Sequence, residues 1–216
     1  VGDMLSEGIY DLHIEIRRAP LLGWEAPAYM GKLPTSSVMS TPVRTLHWSE
    51  KVGKVYDLLS LVSHNGFPVI NERGKFVGLI LRSQLITLLR VKAFVSSPVQ
   101  PGSAIYYTTA SRDDFLQDYP RYPRVEDIPI HPNERGMYMD LRPYMNPSPY
   151  SVTPTTLLSK SFTLFRTMGL RHLTVLNDNS RPVGMVTRKD LTYLEDTSRK
   201  IHRTRVNRST HLSERQ

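Results

Sequence analysis

Set against itself at an offset of 106 residues, the chain aligns without a gap from Met39–Leu88 onto Met145–Leu194. Identities are sparse but recur at matching points: Met39 and Met145, Lys54 and Lys160, Leu58 and Leu164, Val69 and Val175, Asn71 and Asn177. They close on Val77 and Val183, Gly78 and Gly184, Arg82 and Arg188, Leu85 and Leu191. A repeat of this kind restricts the fold to two copies of one supersecondary unit. Each copy is too small to bury its own sheet, so the two are expected to pack face to face as one domain.

Each repeat reads as β-α-β-β-α, an α/β (α+β) arrangement. In the first, Val43–Leu46 is a short strand, and Ser49 is an N-cap for a helix whose Val52, Val55, Leu58, Leu59 and Val62 recur at helical spacing. "GFPVI" is a strand, "NERGK" a turn in which Gly74 supplies positive φ, "FVGLIL" the returning strand and "SQLITLLRVKA" the second helix. The second copy repeats the order: a helix over Pro154–Met168, a strand over His172–Leu176, the turn "NDNSRP", a strand over Val183–Val186 and a helix over Arg188–Glu195. The resulting division is a tether over 1–31, a first repeat over 32–92, a linker over 93–138, a second repeat over 139–196 and a basic tail over 197–216. The linker, with "SSPVQPGS" and "DYPRYPRVEDIPIHP", reads as a surface excursion because it has few periodic apolar positions.

Of the 216 residues, 39% are hydrophobic, enough for a real core, and no apolar run approaches the roughly 18–20 residues of a membrane helix. As written the chain reads as soluble, without a signal peptide; opening on Val1, it reads as a piece of something longer. With no cysteine, disulfides and thiolate zinc sites are excluded, which suits a reducing compartment. The net charge of +8 suits nucleic acid, acidic lipid or a phosphorylated small molecule. Much of it lies in the tail, at Arg199, Lys200, Arg203, Arg205 and Arg208. No aromatic residues interleave there to stack on bases, so a solvated tail is favoured and no nucleic-acid partner is expected.

The repeats differ where function would show. "VGMVTRKDL" carries Thr187 and Asp190 where "VGLILRSQL" carries Leu81 and Gln84. A strand ending at Val186 and a helix starting just after put both residues on a first turn, where backbone N–H groups and the helix dipole attract anions. A threonine hydroxyl can donate to phosphate, a carboxylate three residues on can accept from ribose hydroxyls, and Arg188 and Lys189 add cations. The same Thr-x-x-Asp is also a helix capping box. Capping alone leaves the difference between copies unexplained, although Ser83 offers the first copy a partial cap. His64 is placed to stack on an adenine or merely to complement the end of the first helix. Asn65 reads as a left-handed C-cap or as a partner for a base edge.

No enzyme motif is present: there is no Gly-x-Ser-x-Gly, no Gly-rich phosphate loop and no His-x-x-x-His pair. His172, His202 and His211 stand apart from carboxylates, and Asp113 and Asp114 read as solubilising the linker.

The segments "MSTPV", "NGFPVI", "GLILRSQL", "MNPSPYSV", "FRTMGLRHLTVL" and "VGMVTRKDL" resemble the paired cystathionine-beta-synthase (CBS) domains that end CLC chloride channels and chloride/proton exchangers. "VGDMLSEGIYD" and "PLLGWEAP" look like that family's connection from its last membrane helix, and "LILRSQL", "DYPRYP" and "GLRHL" are most similar to its lysosomal and late-endosomal branch. The resemblance implies a regulatory module on the cytosolic face of such a membrane, attached to a transmembrane domain of the same protein and to a second subunit as a homodimer. It implies ATP, ADP or AMP as ligand, with Mg²⁺ as a possible companion. By position, Asp190 would hold the ribose, Lys189 and Thr187 would lie near the phosphates, His64 would stack on adenine with Asn65 beside it, and Val43 would offer backbone groups to the base edge. Leu81 and Gln84 depart from the nucleotide pattern, so one site is expected and not two. Acidic lipids are a further expected partner for the basic excess. The remaining expectation is a ligand-free dimerisation module in which Thr187 and Asp190 only cap a helix.

Overall fold

The computed structural model describes residues 22–100, 102–103 and 110–192. The N-terminal part of the tether, the basic tail and the end of the last predicted helix lie outside them. Elements in chain order are β1 (Leu46–His47), β2 (Ser49–Lys51), α1 (Val52–Leu61), β3 (Gly66–Ile70), β4 (Phe76–Leu81) and α2 (Arg82–Arg90). Then come α3 (Arg112–Gln117), β5 (Tyr138–Asp140), β6 (Ser151–Val152), α4 (Leu158–Met168), β7 (His172–Leu176) and β8 (Pro182–Thr187), with residues 188–192 helical. The sheets run β1-β3-β4, β2-β5 and β6-β7-β8.

The hairpins form where the sequence places them, and for a local reason. Asn71 Oδ1 accepts from the N–H groups of Arg73 and Lys75, and Asn177 Oδ1 accepts from those of Asn179 and Arg181, so each repeated asparagine closes its own turn. Gly74 takes φ +73° to complete the first turn; the second manages the same bend with Ser180 at φ +59°. β3 and β4 then pair antiparallel, Phe67 opposite Ile80 and Val69 opposite Gly78.

Contacts divide the chain into two compact units. One holds the described residues up to Ser40, Val152–Val175 and the described residues from Met185; the other holds Thr41–Ser151 and Leu176–Gly184. In the second unit α1 turns Val52, Val55 and Leu59 onto the sheet, where Phe67, Val69 and Ile80 meet Leu85, Leu88 and Leu89 of α2, all fully or almost fully buried. Val125, Ile128, Met139 and Leu141 complete that core. The 93–138 stretch is therefore not only a surface excursion. Val125 sits in a short 3-10 turn, Val125–Asp127, and Ile128 directly follows it, a stretch that shows neither a strand nor a helix period. Asp114 in α3 does not merely solubilise: its Oδ2 accepts from Ser111 N–H (2.7 Å) and Oγ (2.8 Å), and these bonds hold its carboxyl below the usual carboxylate range.

Neither unit coincides with one repeat, because each contains the lead-in to the other. In the first, Thr35 Oγ1 donates to Thr156 O and shares a buried hydrogen bond with Ser161 Oγ, both at 2.8 Å. Ser40 and Met185 exchange backbone bonds of 2.8 and 3.2 Å. In the second, Asn146 and Leu79 do the same at 2.8 and 2.9 Å. Adding 106 to 40 and to 79 converts one pair into the other, so the exchange obeys the sequence repeat.

Two helix starts differ from expectation. Ser49 does not cap α1. It pairs with Asp140 in β2-β5, and its Oγ accepts from Val99 N–H at 3.0 Å, so strand pairing outweighs the local cap signal. The helix begins after Lys51 with Glu50 Oε1 accepting the Lys51 N–H. The second-repeat helix starts at Leu158 and not at Pro154, because Thr153 and Thr156 bond to each other ahead of it.

Candidate functional site

β8 ends at Thr187 and the helical residues 188–192 follow at once, which brings Asp190 back over the junction. Asp190 Oδ2 accepts from both the N–H and the Oγ1–H of Thr187, each at 2.7 Å. Among the described residues, Oδ1 makes no hydrogen bond. The N–H bond forms one side of a capping box and the hydroxyl donates to the same oxygen, which leaves the carboxylate charge and the other oxygen available. Lys189 is exposed and has no ion pair among the described residues. A ribose hydroxyl needs an acceptor and a phosphate needs a cation, so these residues fit the nucleotide chemistry.

Arg188 is committed elsewhere. Its Nε donates to Leu170 O at 2.8 Å, tying the strand-helix junction to the end of α4. Its repeat partner Arg82 does this twice, donating from Nη1 to Val62 O and from Nη2 to Leu59 O, both at 2.6 Å. The repeated arginine therefore closes a helix terminus in each unit.

The difference between copies has a second cause that the sequence reading missed. Gln84 Oε1 accepts the Leu81 N–H at 2.8 Å, the same reach-back that Asp190 makes, while its Nε2 donates to Tyr144 O at 2.6 Å. The first copy is therefore capped too, through Gln84 and not Ser83. A carboxylate could accept the first bond but could not donate the second, so the glutamine has its own structural reason. The visible signal was Gln at the N3 position of Leu81-x-x-Gln84. What distinguishes the second copy is narrower: a negative charge and a threonine hydroxyl.

Val43, His64 and Asn65 belong to the other compact unit. Val43 is half-buried and outside any strand, since only Leu46 and His47 pair with Val69 and Ile70. Its N–H and C=O meet no other backbone group among the described residues. α1 ends at Leu61, earlier than expected, so exposed His64 lies beyond the helix; its ring is 6.4 Å from that of Phe67, tilted by 37°. Asn65 is exposed and its carbonyl accepts the Arg82 N–H at 3.0 Å; it is not left-handed, so it is no C-cap. The six expected residues thus divide three and three between the units. Among the described residues no three His, Asp or Glu side chains are grouped to hold a metal, and no helix is long and apolar enough to cross a membrane.

His172, at the start of β7, is half-buried, and burial first, then the charge of neighbouring Arg171, lowers its pKa below the ordinary value near 6.5. The unfolded chain then takes up this proton before the folded one. Melting temperature is expected to hold above pH 7 and to fall as pH drops through 6.5 toward the depressed value. His172→Gln should flatten that part of the profile; an unchanged slope would assign it to other groups.

The sequence profile of the CBS domain matches residues 36–91 and 140–195. The mouse H(+)/Cl(-) exchange transporter 7 is 45% identical over 198 residues, covering 88% of this chain and 24% of the relative. The chloride channel protein CLC-c of Arabidopsis thaliana is 36% identical, covering 88% of this chain and 25% of the relative. The chain spans about a quarter of the length of these curated relatives. Among solved structures, the CBS domain of a CBS-domain-containing membrane protein from Sphaerobacter thermophilus superposes with a TM-score of 0.52 at 20% identity, over 85% of this chain and 96% of that one, which supports the fold. With two matched stretches covering over half of its length, one over each copy of the internal repeat, the chain belongs to the CBS domain family and carries its domains as a tandem pair.

Proposed function

We propose that this chain is the regulatory CBS pair of a chloride transporter of the exchanger type, lying on the cytosolic face of a lysosomal or late-endosomal membrane. The 45% identity to a named H(+)/Cl(-) exchanger supports the transporter assignment. In this reading the pair is attached to the membrane domain of its own protein, meets a second subunit, and receives acidic lipids on its basic surfaces. It binds one adenine nucleotide, ATP, ADP or AMP, with Mg²⁺ arriving on the phosphates. Asp190 accepts from the ribose, Lys189 serves the phosphates, joined by the Thr187 hydroxyl once it turns from Asp190, His64 stacks on the base, and Asn65 and the Val43 backbone serve its edge. The nucleotide shifts the gating equilibrium of the membrane domain by no more than its differential affinity for the two gating states.

The observation that carries the ligand reading is Asp190, held by Thr187 through one oxygen with charge and Oδ1 to spare. The equal reach-back of Gln84 favours the other reading, a ligand-free structural pair in which Asp190 only caps. Calorimetric titration of ATP, ADP and AMP into the wild type and Asp190→Asn separates them. An asparagine oxygen can accept both Thr187 bonds, so the unliganded variant should melt with the wild type. Its affinity should fall about tenfold, or ~1.4 kcal/mol, through loss of the charge. Nucleotide at a hundred times its dissociation constant should stabilise the wild type by about 2.7 kcal/mol. No heat and no stabilisation at millimolar nucleotide would leave the structural reading.

A further inference from the structure

Four cations from three stretches of chain line one cavity of about 510 Å³ in the second unit: Arg44, Lys51, Lys54 and Arg135, with Asp57 as the lone carboxylate in the lining. Lys54 and Asp57 lie on the exposed stripe of α1, opposite the face that buries Val52, Val55 and Leu59, and exposed Lys51 immediately precedes the helix. None of the six residues assigned to the nucleotide lines this cavity.

The charges are only half neutralised. Lys54 Nζ pairs with Glu50 Oε2 at 2.7 Å, and that carboxylate is buried beneath it. Arg135 Nη2 donates to both oxygens of Asp57 at 2.6 and 2.7 Å, and its guanidinium lies 5.6 Å from the Tyr56 ring. The backbone there is tight: a Cβ on Gly53 would come within 3.0 Å of Arg135 O. Arg135 is therefore fixed at the rim. Arg44 and Lys51 have no carboxylate partner among the described residues; Lys51 Nζ lies only beside the Tyr138 ring, at 6.0 Å. Two unpaired cations beside two paired ones repel, and a bound anion relieves that repulsion.

Apart from the Thr45 hydroxyl, the remaining lining is apolar. Leu58 and Leu61 continue the same α1 stripe past the cations, and Leu61 is 72% exposed, which leaves a large aliphatic side chain in water next to the charged end. The volume falls in the range of small-molecule sites, roughly 300–1,000 Å³. Guanidinium and ammonium groups together suit phosphate, the first by its fork of donors and the second as a point charge.

We infer that this cavity binds a phosphate ester with an apolar portion, its phosphate held by Arg44 and Lys51 and its apolar part against Leu58 and Leu61. A free ester and a lipid headgroup share that chemistry, so the test has an arm for each: hexyl phosphate titrated into the 216-residue chain by calorimetry, and co-sedimentation with phosphatidylcholine vesicles containing phosphatidate. The paired variant Arg44→Gln, Lys51→Gln removes two exposed charges that bridge to no carboxylate; equal melting temperature and circular dichroism confirm its fold. Saturable binding that rising salt weakens, that the paired variant weakens at least tenfold, and that Asp190→Asn leaves unchanged supports the inference. Binding of hexyl phosphate identifies a free ester, and binding to vesicles alone a lipid headgroup. No binding in either arm, or equal binding by the paired variant, overturns it. Loss on Asp190→Asn also overturns it, by returning the anion to the nucleotide residues.

Discussion

Gly78→Val is expected to destabilise the chain by about 3 kcal/mol, at the upper end of the usual overpacking range, measured as a lowered urea midpoint with an unchanged slope. A Cβ at Gly78 would stand 2.6 Å from Met145 Sδ and 2.7 Å from Asn146 O. The sulfur ends a flexible side chain and can swing away. The carbonyl cannot, because Asn146 and Leu79 hold each other through reciprocal backbone bonds of 2.8 and 2.9 Å. The added carbons therefore either break that pair or push β4 off Val69, its partner in β3. Gly78→Ala should show the same sign with a smaller loss. Wild-type midpoints for both variants would mean that the segment carrying Asn146 moves aside at little cost, and that the exchanged lead-in contributes little to the second unit.

Gly78 also marks how far the sequence could be read. Its identity with Gly184 was visible, but its reason was not, since the approaching carbonyl comes from 68 residues further along the chain. The hairpins were legible because Asn71 and Asn177 close their turns with their own side chains. The buried face of α1 was legible because Val52, Val55 and Leu59 repeat at the helical period. What failed was non-local: Ser49 was drawn into β2 by Tyr138–Asp140, and Val125 and Ile128 joined the core from a stretch with no period. At the candidate site the Thr187–Asp190 contact was readable from its spacing. The role of Gln84 was not, because its second bond goes to Tyr144, 60 residues away. Asn65 was misread as a C-cap because α1 stops at Leu61, where Val62 turns extended at φ −127° and ψ 152°.

That early stop sets the other large expected effect. Arg82→Ala should cost about 3 kcal/mol, and Arg188→Ala about 1 kcal/mol, although the two arginines hold the same place in the repeat. Arg82 donates two bonds of 2.6 Å to Leu59 O and Val62 O, carbonyls left over at the end of α1, and Leu59 is buried where water cannot replace the lost donor. Arg188 donates one bond, of 2.8 Å, to Leu170 O, and α4 has already been ended by Gly169 at φ +63°. Urea denaturation of the two variants measures the difference. Equal losses would mean that the charge or the aliphatic stem matters, and not the number of bonds. Arg82 also donates its own N–H to Asn65 O, so its side chain and backbone together hold the segment Val62–Asn65 that carries His64. Removing the side chain should therefore speed amide hydrogen exchange at residues 63–65 while the inner turns of α2 stay protected. If His64 receives a base, the same variant should weaken nucleotide binding without altering any atom of the ring, which would make Arg82 a positioning residue for that contact.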